Sequence, residues 1–180
     1  VLQSRADLGL RRPADRARRH RQLAQPLQVR IRILCVGRMK DGPERELVDD
    51  YLTRAQKSGK SLGYRAVEEI EIPSSTKDDE GARLLAKHGQ GILIRLDERG
   101  EAWTSQDLSK RLARWRDAGE DACSFVVGGA DGTSPAIAAA ARHTISFGVQ
   151  TWPHRLVRVM IAEQVYRALS IEAGSPYHRE

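Results

Sequence analysis

Cysteine, aromatic side chains and long apolar runs are all scarce in this chain of 180 residues. Only Cys35 and Cys123 are present, each inside an apolar run, Ile33 to Val36 and Cys123 to Val127. They read as buried free thiols, with a disulfide or metal pair as the weaker alternative. The five histidines fall in no HxH or HExxH spacing and no CxxC accompanies them, so no metal is expected. No run of about 18 apolar residues occurs, which excludes a membrane-spanning helix. The first residues also lack the apolar stretch of roughly 7–15 residues that a secretory signal carries, so a cytoplasmic location is expected.

What is present is charge, unevenly placed. The formal net charge is +6, but Arg5, Arg11, Arg12, Arg16, Arg18, Arg19 and Arg21 against Asp7 and Asp15 put +5 of it into residues 1–29. Residues 30–180 are almost neutral, so any affinity for nucleic acid must come from a local patch or from the arm, not from a global field. Residues 1–29 are rich in Arg, Ala and Gln, hold Pro13 and Pro26, and have few large apolar side chains. They read as a disordered extension, a basic RNA-binding arm being the functional alternative.

From Arg30 onward strand and helix signals alternate. Ile31 to Val36 is β-branched and bounded by Gly37; Pro43 suits a first helical turn and opens a helix to about Lys57. Tyr64 to Ile72 is a second strand, Thr76 to His88 a helix closed by Gly89, and Gly91 to Asp97 a third strand. Thr104 and Asp107 form a capping-box pattern before a helix whose Leu108, Leu112 and Trp115 share a face. Ala122 to Val127 is apolar throughout, as a central parallel strand covered on both faces is. Ser134-Pro135 starts an Ala-rich helix to His143, Thr144 to Gly148 is a short strand, and Leu156 to Leu169 is the last helix. The alternation predicts one α/β domain, residues 30–180, with a mainly parallel sheet.

Four segments carry chemistry. Gly128-Gly129-Ala130-Asp131-Gly132 follows a buried strand, where ligands of open α/β sheets bind and where glycine lets backbone approach closely; an ordinary turn fits the same residues. It is neither G-x-G-x-x-G nor a phosphate-cradling loop with Lys-Ser/Thr. Phe147 to His154 mixes Gly, Pro and aromatics, suiting a loop that wraps a planar ring. The last helix has two apolar faces, Leu156, Val159 and Met160 on one and Val157, Ile161, Val165 and Ala168 on the other, which predicts cover by a second copy of the chain. Within it Glu163 and Arg167 are spaced for an ion pair, unless Glu163 orients groups of a site. Tyr177-His178-Arg179-Glu180 combines a stacking ring, an imidazole and a guanidinium, a set suited to RNA, although the composition equally fits a solvated tail.

Together these segments resemble the SPOUT-class 23S rRNA pseudouridine N3-methyltransferase family. The resemblance rests on Val36-Gly37 with Lys40, Leu96-Asp97, Val127-Gly128-Gly129-x-x-Gly132, Pro153-His154-x-Leu156-Val157-Arg158-Val159, Glu163 to Ala168, and Pro176 to Glu180. It covers about Arg30 to Glu180 and implies a deep trefoil knot, an exception to the rule that chains do not thread loops. It further implies a homodimer packed partly through the last helix and S-adenosylmethionine as the cofactor, held by Leu96, Gly128, Phe147, Gly148, Val149, Gln150, Thr151 and Trp152. The implied substrate is a pseudouridine in helix 69 of 23S rRNA within the ribosome. The candidate catalytic residues are His178 as base, Glu163 as second choice, Tyr177 and Arg179; His154, Arg158 and Arg167 are the candidate RNA contacts. A catalytically silent RNA-binding relative and a methyltransferase for another RNA are the competing readings.

Overall fold

The structure, a computed structural model, describes residues 29–178. The extension expected over residues 1–29 therefore lies outside the described residues, apart from Val29. Val29 belongs to the domain: its side chain is fully buried and its carbonyl accepts a hydrogen bond from the Arg65 amide at 2.9 Å. The domain thus starts one residue earlier than the sequence pattern suggests.

Five strands, β1 (Arg30–Val36), β2 (Ala66–Ile72), β3 (Ile92–Ala102), β4 (Ala122–Val127) and β5 (His143–Ser146), form one sheet in the order β2-β1-β4-β3-β5, with every pairing parallel. Five helices, α1 (Pro43–Ser61), α2 (Lys77–His88), α3 (Ser105–Asp117), α4 (Pro135–Ala140) and α5 (His154–Glu172), connect and cover it. Alternation along the central strands sorts the core into two layers. Ile31, Ile33, Cys35, Phe125 and Val127 face α1, α3 and α5, while Leu34, Val36, Leu93 and Val126 face Leu84 of α2 and Ile137 of α4. All six residues of β4 are buried, as a strand covered on both sides requires. Both cysteines are buried and free.

The local signals form as read. Thr104 caps α3 by accepting from the Asp107 amide at 3.1 Å while Asp107 accepts from the Thr104 amide at 3.1 Å, a complete capping box. Ser134 caps α4. Two ends differ. α1 runs on to Ser61, because Gly59 is a packing site at which a Cβ would meet Val67 at 3.2 Å and Leu169 at 3.5 Å. α4 stops at Ala140, because the Arg142 amide donates to the Leu93 carbonyl at 2.9 Å and His143 already pairs with Ile94. Among the described residues no helix is long and apolar enough to cross a membrane.

Candidate functional site

A cleft of about 140 Å³ opens at the carboxyl ends of β4 and β5 and beside the middle of β3, on the side of the sheet where ligands of open α/β sheets bind. Three turns build it. The first comes from β3, which pairs with β5 twice: Leu96 and Glu101 both align with Ile145, so residues 97–100 leave the ladder as an excursion. Asp97 and Glu98 are thereby carried into the cleft wall. Gly100 is what lets the strands close again, since a Cβ there would lie 2.5 to 2.7 Å from the backbone of Ile145.

The second turn is Gly128 to Gly132. Gly132 has φ +78 and donates its amide to the Gly129 carbonyl at 3.0 Å, and a Cβ on Gly128 would sit 2.7 Å from the Gly132 carbonyl carbon. The glycines therefore answer first to the tightness of their own turn. Gly129 rests on Val36, so this turn is seated on the end of β1.

The third is the segment between β5 and α5. Ser146 accepts from the Gly148 amide at 3.0 Å, Gly148 takes φ +118, and the Thr151 hydroxyl donates to a Glu98 carboxylate oxygen at 2.8 Å, tying this wall to the β3 excursion.

Seven of the eight residues expected to hold a cofactor line this cleft: Leu96, Gly128, Phe147, Gly148, Gln150, Thr151 and Trp152. Val149 does not; its side chain is 89% exposed. Asp97, Glu98, Ile145 and Val157 complete walls that sequence reasoning missed. His154, expected at RNA, opens α5 on the same rim.

The other candidates lie elsewhere in the chain. Glu163 takes three donors: Arg167 through Nε at 2.8 Å and Nη2 at 2.5 Å, Gln164 at 2.7 Å, and the Tyr177 hydroxyl at 3.1 Å. It is thus both the expected ion-pair partner and the anchor of the tail. Tyr177 packs on Tyr166 with ring centroids 4.5 Å apart and lies under the Arg167 guanidinium at 5.0 Å. Burial, a hydrogen bond with Tyr51 and the nearby Glu163 charge push its hydroxyl well above the ordinary tyrosine range. Both ring nitrogens of His178 are buried without a hydrogen-bond partner. Arg179 lies outside the described residues. None of Glu163, Arg167, Tyr177 and His178 lines the cleft of its own chain. Phe147 separates the two groups, forming a wall of the cleft and of an apolar groove of about 230 Å³ with Leu47, Tyr51, Val159, Met160 and Glu163.

One expectation is corrected. Arg158, expected to contact RNA, is 2% exposed, donates to Glu71 at 2.7 Å and to the Val36 carbonyl at 2.8 Å, and also bonds the Gly37 carbonyl. With Glu69 at 3.5 Å it sits in a buried charge network that Arg45 completes. Its guanidinium is spent on the chain and cannot reach a phosphate. No group of three or more His, Cys, Asp or Glu side chains among the described residues is placed to hold a metal ion.

The sequence model of the family described as "Predicted SPOUT methyltransferase" matches residues 29–178. A protein of Hyphomonas neptunium called ribosomal RNA large subunit methyltransferase H is 56% identical over 153 residues, covering 84% of this chain and 99% of that protein. A protein of the same name from Ruegeria pomeroyi is 48% identical over 155 residues, with the same shares covered. Among solved structures, a putative methylase family protein from Neisseria gonorrhoeae aligns with a TM-score of 0.45 at 14% identity, covering 88% of this chain and 89% of that one.

Proposed function

Because this chain belongs to the SPOUT methyltransferase family, we propose that it uses S-adenosylmethionine to methylate N3 of a pseudouridine in helix 69 of 23S rRNA, acting in the cytoplasm on the ribosome. The observation that carries this reading is the likeness to proteins named ribosomal RNA large subunit methyltransferase H along nearly their whole length.

The cleft suits such a cofactor. Leu96, Val127, Ile145 and Val157 offer apolar walls for a purine face, Trp152 adds an indole, and the three turns present main-chain groups to a ring edge. Leu96, Gly128, Phe147, Gly148, Gln150, Thr151 and Trp152 would hold the molecule, with Val149 contributing main chain only. Bound there, it supplies a methyl group activated by a sulfonium. The chain's task is to position an RNA base in line with that methyl group and to take the proton from N3, a poor nucleophile while protonated.

His178 is the base in this reading. Its ring nitrogens are unpartnered, whereas the Glu163 carboxylate is committed to Arg167, Gln164 and Tyr177. Tyr177 stacks on the base; Arg167 and Arg179 stabilise the developing imide anion, and His154 meets RNA at the rim. Since Tyr177 and His178, the described residues of the tail, do not line the cleft of their own chain, the active unit is a homodimer in which the tail of one copy serves the cleft of the other. The groove edged by Leu47, Val159 and Met160 is the face the second copy covers, leaving Ile161, Val165 and Ala168 to the chain's own core. The segment from β4 to the tail forms the trefoil knot of the family.

Incubating the protein and S-adenosylmethionine with ribosomes from a strain lacking this modification, then analysing the rRNA by mass spectrometry, tests the assignment. One methyl group is expected on a helix 69 pseudouridine. Cofactor binding without methylation of any ribosomal RNA would refute it.

A further inference from the structure

Among the described residues, the side chains lining the cleft include two carboxylates, Asp97 and Glu98, and no lysine or arginine. The two carboxylates are not equivalent. Asp97 is compensated, with Arg95 Nη1 at 3.3 Å and the Arg99 amide donating to it at 3.0 Å. Among the described residues Glu98 makes no ion pair; its carboxylate accepts from the hydroxyl of Thr151 at 2.8 Å, which holds it on the rim. The double pairing of β3 around Gly100 fixes the backbone that carries it. An uncompensated negative charge is therefore built into a defined place in the cleft.

Resting on the cofactor reading above, we propose that Glu98 makes the cleft discriminate between the charged cofactor and its neutral product. When the methyl group moves, the bond between sulfur and the methyl carbon breaks with its electron pair staying on sulfur. A bond from N3 to that carbon forms, and the N3 proton passes to the base. The bound molecule thereby changes from a sulfonium to an uncharged thioether, S-adenosylhomocysteine. Its ammonium, carboxylate, ribose and adenine are unchanged. Any group that senses the sulfonium by charge weakens its grip at the moment of transfer, and Glu98 is a specificity-determining residue of that kind. Its carboxylate favours loading of the cofactor and eases release of the product, so the product inhibits less than its shared atoms alone would dictate.

Isothermal calorimetry on the full chain measures the affinities for S-adenosylmethionine and S-adenosylhomocysteine separately, and their ratio is the readout. Glu98→Gln keeps the shape and an acceptor for Thr151 while removing the charge. It is expected to weaken S-adenosylmethionine by about threefold to tenfold and to leave S-adenosylhomocysteine within about twofold, the scale of one charge pair in a solvent-washed cleft. The wild-type ratio should also shrink as salt rises from about 0.05 to 0.5 M, because the Debye length falls from well above 10 Å to well below it. Thr151→Val removes the tether without removing the charge and should shift both ligands alike. Equal losses for both ligands in Glu98→Gln would show that Glu98 only positions the loop, and no loss for either would show that it senses nothing; both overturn the proposal. A wild-type chain that binds neither ligand would instead overturn the cofactor reading itself.

Discussion

Replacing Arg158 by methionine decides between a residue that contacts RNA and one that holds the fold. Methionine fills much of the volume but leaves Glu69, 7% exposed at its side chain, and Glu71, 28% exposed, without their central cation. Removing one partner of a buried ion pair typically costs about 3–5 kcal/mol. Here Arg45 still contacts Glu69 at 2.5 Å and Glu71 still accepts from the Met39 amide at 2.7 Å, so the lower end, about 3 kcal/mol, applies. For a domain of this size each kcal/mol moves Tm by about 2–4 °C, giving a fall of roughly 6–12 °C. Thermal unfolding followed by circular dichroism measures it. Adding Glu71→Gln to the variant removes the orphaned charge and should recover about 1–2 kcal/mol, since the two sites share one network. An Arg158→Met protein that unfolds at the wild-type temperature but binds RNA more weakly, with a flatter salt dependence, would refute the buried clamp and restore the phosphate contact.

The fold should lose stability as pH falls below about 6.5, the ordinary histidine value. Burial holds His88 and His143 below that value in the folded state, so the unfolded chain takes up protons that the folded one refuses; the stability they contribute is present above the unfolded value and lost as pH falls through it. His88→Gln should flatten that limb in urea titrations from pH 7.5 to 5, and an unchanged slope would count against it. Light scattering should report twice the 20.1 kDa chain mass, and Met160→Glu, which puts a charge in the groove shared with Leu47 and Val159, should yield monomers; a wild-type monomer sinks the dimer. Removing residues 177–180 should keep S-adenosylmethionine affinity within a few-fold while methylation of ribosomes falls by orders of magnitude. His178→Ala alone should lose about 10²–10⁴-fold, partly regained at high pH as the imide ionises unaided; a wild-type rate across the pH range would pass the role of base to Glu163.

Features set by neighbours in sequence were legible. The Thr104 and Asp107 capping box, the apolar run of β4 and the helix of α5 are local, and each forms, α5 burying Ile161, Val165 and Ala168 of one apolar face in the chain's own core. Two of the turns that line the cleft were legible for the same reason, since Gly128 to Gly132 and Phe147 to Trp152 are contiguous. What was hidden depends on pairings far apart along the chain. Asp97-Glu98-Arg99-Gly100 reads as the end of a strand, and only the second pairing with β5, some 45 residues on, turns it into an excursion that lines the cleft. Arg158 reads as an exposed cation on a helix; its partners Glu69 and Glu71 are 87 or more residues away on β2. The end of α4 was hidden too, because the hydrogen bond that stops it goes to Leu93.

Phe147 forms part of the cleft, of the groove beside Glu163, and of a small cavity with Trp103 and Ile161. If the proposed cofactor site and homodimer hold, one ring belongs to two binding problems at once. A molecule that fixes its orientation from the cleft side would set the shape of the groove on the other, and a second copy seated in the groove would restrict the ring in return. Thermodynamic linkage makes these influences equal in size. Ligand titrations run at several protein concentrations would read that shared free energy directly, and cofactor affinity measured on dilute protein would differ from that at cellular concentration by the same factor as dimer affinity with and without cofactor.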